Sequence, residues 1–136
     1  MVAPNRHIAS LLLFALAIAP LGSAAALSIP EDEVKKQKVF KGNTSDFDKP
    51  AEVDLDKVIA ATSEYKEIKK EKLKQGSGKY WILLTQATER ANKAVTAAIK
   101  DSKYDLVTAK GYLKSLKKPI KCDDITKTVL KKLNQE

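Results

Sequence analysis

The stretch AAIKDSKYDLVTAKGYLKSLKKPIKCDDITKTVLKKLN, residues 97–134, changes its periodicity twice. It begins as a helix, passes through a short alternating segment and ends as a helix again. In the middle segment Tyr104, Leu106 and Thr108 share one face while Asp105, Val107 and Ala109 share the other, the period-two pattern of a strand of about five residues. Gly111 breaks that strand, and 112–120 is a connection that can return as a second short strand. The closing DDITKTVLKKLN reads as a helix capped by Asp123 or Asp124, with Ile125, Val129, Leu130 and Leu133 facing inward. A strand this short is unstable alone and needs both edges covered.

Working upstream, KYWILLTQATERANKAVTAAIKDS predicts a helix over about 79–100. Its apolar stripe is Trp81, Leu84, Ala87, Ala91, Ala94, Val95, Ala98 and Ile99, bulky at the start and small toward the end. Before it, QGSG at 75–78 is a tight reversal. Gly76 suits the left-handed residue that closes a helix, and Ser77 suits the cap of the next one. From Leu55 onward, Val58, Ile59, Thr62, Tyr65, Ile68 and Leu73 recur at helical spacing, which predicts one outgoing helix. The two helices thus form an antiparallel hairpin over about 55–100. Val53 and Leu55 alternate with acids and suit a short strand. Residues 27–50 are polar, with two prolines, Gly42 and Asn43, and read as a flexible N-terminal arm with a short strand near 38–41. The expected class is α+β: mainly helical, with a small β body and a single domain over 51–136.

At the start of the chain, Arg6 precedes the apolar run IASLLLFALAIAPLG, followed by SAAA. This is the pattern of a secretory signal peptide over 1–26, cleaved after Ala26. The alternative is an uncleaved anchor, against which Pro20 and the shortness of the run count. Cleavage takes away Arg6, the sole histidine His7 and no acid, leaving 24 basic against 17 acidic residues, a formal +7. That sign favours anionic partners such as lipid headgroups, lipopolysaccharide or acidic protein segments; in an exported protein nucleic acid is not expected. Without histidine and with Cys122 as the one cysteine, His-based triads, His/Cys metal clusters and an internal disulfide framework are excluded. No catalytic, cofactor-binding or metal-binding residue is expected, and no enzyme.

Three segments in their order resemble the OmpH/Skp family of periplasmic chaperones. VDLDKVIAATSEYKEIKKEKL, 53–73, is similar to the family's first strand and outgoing helix. ERANKAVTAAIKDSKYDLV, 89–107, is similar to the returning helix and following strand, and DDITKTVLKKLN, 123–134, to the closing helix. The resemblance implies a Skp/OmpH-like fold in which three chains pool short strands into a body and project helical arms, here shortened. It implies a periplasmic homotrimer that holds unfolded outer-membrane or exported proteins without a cofactor. The other function class the charge allows is an envelope structural or adaptor protein that binds anionic lipid or polysaccharide.

Two residue groups stand out. Tyr80 and Trp81, beside the reversal, are either an exposed aromatic tip for an apolar client or core packing between the helices, for instance against Leu73. Lys66, Lys69, Lys70, Lys72 and Lys74, with Lys79 across the turn, are either a basic surface for clients and anionic membrane or a solvated face diluted by Glu64, Glu67 and Glu71. Asp105, Asp123 and Asp124 read as caps and turn residues rather than as a carboxylate site. Cys122 reads as a small half-buried residue, with interchain pairing or free-thiol chemistry as alternatives.

Overall fold

Leu106 and Val107 point to opposite faces of the same strand, and each is fully buried. Apolar layers therefore cover both sides of the sheet that holds them. The computed structural model describes residues 26–135; the signal peptide expected over 1–26 lies, apart from Ala26, outside the described residues. The elements are β1 (Val39–Gly42), β2 (Pro50–Val53), α1 (Leu55–Ala60), α2 (Ser63–Lys70), α3 (Gly78–Lys100), β3 (Leu106–Ala109), β4 (Asp123–Asp124) and α4 (Thr126–Leu133). The fold is α+β, as expected.

The sheet order is β1-β3-β2-β4. β2 runs parallel to β3 and to β4, while β1 runs antiparallel to β3. Parallel neighbours need a long crossover, and α1 to α3 supply it between β2 and β3. One face of the sheet, through Ala51, Val53 and Val107, packs under Val58 of α1, the alanine stripe of α3 and Val129 and Leu133 of α4. The other face, through Leu106, is covered by Ile29, Phe47, Tyr112, Leu113 and Leu116.

The flexible arm expected over 27–50 is corrected by this second layer. Phe47 is 1% exposed. Leu27 and Phe47 exchange backbone hydrogen bonds of 2.8 and 3.0 Å. The Tyr112 hydroxyl accepts from Lys35 N at 2.9 Å and donates to Glu33 O at 2.7 Å, stitching the segment to the turn after β3. A few apolar anchors in a polar stretch suffice because the sheet face beneath them is itself apolar.

The same segment overturns the expectation that the strand around Leu106 recruits neighbouring chains. β3 has β1 on one side and β2 on the other, so both of its edges are satisfied within one chain. β1 carries a bulge between Val39 and Lys41 and ends at Gly42 with φ +102°, where a Cβ would collide with the backbone oxygen of Asp105.

Three local readings also shift. The first strand lies upstream of Leu55, at Pro50–Val53, because Asp54 caps α1 by accepting from Lys57 N at 3.2 Å. The outgoing helix is two helices. Thr62, 1% exposed, donates from its hydroxyl to Ile59 O at 2.6 Å and accepts from Tyr65 N at 3.2 Å, so it ends α1 and starts α2. The segment 112–120 holds a 3-10 turn at Leu113–Ser115, and the extra strand comes later, at Asp123–Asp124. The cap expected at Asp123 or Asp124 is corrected: the N-cap of α4 is Ile125, without a side-chain cap bond, and Asp124 sits one residue ahead of it, accepting from Thr126 N at 2.9 Å.

Candidate functional site

The reversal between α2 and α3 is built from two caps. At the end of α2, Leu73 N donates to Ile68 O at 3.1 Å and Lys72 N to Lys69 O at 3.3 Å, the paired bonds of a Schellman motif. Its left-handed residue is Lys72, at φ 51°, and not Gly76 as the sequence suggests. At the start of α3, Ser77 Oγ accepts from Tyr80 N at 3.3 Å, as expected.

Helical phase then sorts the aromatics. Tyr80 lies seven residues before Ala87 and fourteen before Ala94, on the inward stripe, and is half-buried. Trp81 is rotated by about 100° from it and Ile82 by about 200°. They are 54% and 60% exposed, the two largest exposures among the big apolar side chains described. The Tyr80 and Trp81 rings meet edge to face, with centroids 5.4 Å apart. The core-packing alternative is thus corrected for Trp81: Leu83, not Trp81 or Leu84, is the buried bulky residue of this turn. Ile82 was missed by the sequence reading. Its signal was the run Trp81 to Leu84, four bulky residues that cannot all face one side of a helix.

Lys66, Lys69, Lys70, Lys72 and Lys74 are all exposed. Among the described residues none of the five has a carboxylate within 4.0 Å. The nearby acids are engaged elsewhere. Lys79 holds Glu71 at 2.7 Å and Glu67 at 3.5 Å, and Arg90 holds Glu64 at 2.7 Å. The ammonium of Lys79 keeps the Glu71 carboxyl below its usual range and is itself raised in return. Burial alone would raise Glu64, but backbone and Ser63 hydrogen bonds and the Arg90 guanidinium outweigh it and hold the carboxyl low. The glutamates therefore do not neutralise the five lysines directly. Lys69 Nζ sits 5.5 Å from the centre of the Tyr65 ring, a contact that steadies it without removing its charge.

The remaining candidates lie in the body. Asp105 accepts from the backbone N–H of Asp48 and Lys49, each at 2.7 Å, and is a turn residue. Asp123 Oδ2 accepts from the Tyr104 hydroxyl at 2.8 Å, and Asp124 pairs with Lys110 at 3.2 Å. Among the described residues no three His, Cys, Asp or Glu side chains are grouped to hold a metal ion. Cys122 is half-buried, and burial together with the neighbouring Glu52 pushes its thiol up to about 12, so the thiolate that would react is scarce at neutral pH. Comparison with family models, with curated proteins and with solved structures found no match.

Proposed function

We propose that this chain is an exported, non-catalytic binding protein of the periplasm that docks on an anionic lipid surface through the tip of its helical hairpin. The observation that carries the reading is the pairing of two solvent-exposed apolar side chains, Trp81 and Ile82, with five lysines that no carboxylate among the described residues contacts. Each lysine close to an anionic leaflet contributes about 1 kcal/mol, and the attraction falls away within a Debye length. A tryptophan flanked by lysines suits the headgroup region, where an apolar body and a polar environment meet. Lys72 adds support. A non-glycine residue in the left-handed region is strained, and such strain collects at functional positions.

Trp81 is the sole tryptophan, so its emission reports on the tip alone. With phosphatidylglycerol vesicles the expected result is a shift to shorter wavelength that disappears as salt rises. Trp81→Ser should weaken co-flotation with the vesicles, and Lys69→Gln with Lys70→Gln should weaken it further. Absence of co-flotation at low salt would end the proposal.

A holdase of the OmpH/Skp kind is the second reading. The three motif resemblances and the order strand, hairpin, strand, closing helix support it, and an exposed aromatic tip suits an apolar client equally well. In that reading the homotrimer cannot be built on β3, whose edges are occupied; it would use helix faces or the outer edges of β1 and β4. Suppressed aggregation of an unfolded β-barrel protein, together with a trimeric mass in solution, is the result that selects it over vesicle docking.

A further inference from the structure

The three parallel strands start at one edge of the sheet, and the loops that lead into them bring together lysines that are far apart in sequence. Lys49 precedes β2, Lys103 precedes β3, Lys121 precedes β4, and Lys114 follows β3. All four line one open cavity of about 550 Å³ whose wall includes Tyr104. Two carboxylates, Asp48 and Asp123, share the lining with the four lysines, and those around it other than Asp48 are committed to the scaffold. Asp105 holds the loop that carries Lys49, through two 2.7 Å bonds to backbone N–H groups. Asp123 takes the Tyr104 hydroxyl at 2.8 Å. Glu52, 2% exposed, accepts from Gly111 N at 3.0 Å behind the site. Among the described residues, of the four lysines only Lys114 comes within 4.0 Å of a carboxylate, Glu52, and only at 3.9 Å. Lys103 Nζ stands 5.7 Å from the centre of the Tyr104 ring. Four ammonium groups around one concavity repel each other unless something negative sits between them.

We propose that this cavity is a binding site for a phosphate-bearing ligand, a phosphate monoester or diphosphate gripped by Lys49, Lys103, Lys114 and Lys121. It is separate from the hairpin tip. α3 leaves the tip at Ile82 and delivers Lys100 near the cavity, about 27 Å further along its axis at 1.5 Å per residue. A protein with both sites would hold an anionic surface at one end and a phosphorylated group at the other. The Tyr104–Asp123 bond ties the loops before β3 and β4 together, so the cavity's wall is formed before the ligand arrives.

The test is a titration of the folded protein with pyrophosphate at constant ionic strength, followed by ¹H–¹⁵N chemical shifts. Saturable changes are expected at Lys49, Lys103, Tyr104, Lys121 and Cys122. Lys49→Gln with Lys121→Gln should weaken binding about tenfold or more, the scale of losing charge-assisted hydrogen bonds. The single variant Lys114→Gln, at an exposed position, gives a second reading and should weaken binding by a smaller factor. Trp81→Ser should leave pyrophosphate binding unchanged, which separates this site from vesicle docking. Displacement of pyrophosphate by a soluble short-chain phosphatidic acid assigns the natural group to a lipid headgroup; lack of displacement assigns it to a free or sugar-borne phosphate. Shifts that spread over all lysines without saturating, or equal affinity in the double variant, would overturn the site.

Discussion

The two halves of α3 obey opposite size rules. From Ala87 to Ile99 the inward positions are mostly alanine, and Ala87, Ala91 and Ala94 have no exposed surface. Small side chains let α1, α4 and the sheet approach the helix backbone closely. From Tyr80 to Leu84 the residues are bulky, yet Trp81 and Ile82 stand in solvent. An ordinary amphipathic helix puts bulk inside and small or polar residues outside. Here bulk is spent on the outer surface at one end only. One half of the helix thus belongs to a core, while the other presents bulky apolar side chains to solvent.

The contrast is broken most sharply by Ala94→Leu. Added methylenes have no room between α3 and its neighbours, and unfolding stability measured in urea should fall by about 3 kcal/mol. A tolerated leucine would mean the buried half is not closely packed. Next is Thr62→Ala, at the joint where α1 of the body meets α2 of the hairpin. It loses a cap and a buried hydroxyl bond, and stability should drop by about 1 to 2 kcal/mol.

Acid should loosen the contact between α2 and α3. The folded Glu64 carboxyl lies below its ordinary value, so its contribution is fully present above the unfolded value and is lost as pH falls through the folded one. Glu64→Gln should remove that part of the acid sensitivity, a change below about 1 kcal/mol because the Arg90 partner is partly solvated. Comparing urea midpoints at neutral and acid pH for both proteins checks it. Lys72→Gly should raise stability by about 0.5 to 1 kcal/mol, by relieving a left-handed lysine, while lowering affinity for anionic vesicles. Trp81→Ser should change thermal stability least, by less than about 0.5 kcal/mol. A larger loss would place Trp81 in the core after all.

Much of this architecture is legible in the residues. Strong periodicity and Ser77 set α3 almost to the residue, and alternation sets β3. In the segment before β2 the short strand near 38–41 was legible and is β1, but the packing of the rest was not, because its anchors, Ile29, Val39 and Phe47, are isolated among charges and gain meaning only from the apolar sheet face they cover. β4 has no pattern to read: it is two aspartates made into a strand by backbone pairing with β2. The break at Thr62 follows from one hydroxyl competing for backbone groups, which a stripe of apolar positions does not register. At the tip, a shift of one residue in helical phase separated Leu83, inside, from Trp81 and Ile82, outside. The lysines of the cavity come from four segments that only the sheet brings together.

The sheet order has a consequence for how the polypeptide reaches this state. β1 pairs only with β3, and β2 only with β3 and β4. No ladder can close before residue 106 has emerged, and each closure spans a long loop, which slows assembly. A chain delivered from its amino end therefore carries no closed ladder of this sheet until β3 arrives, and its β structure locks only with the last quarter of the sequence.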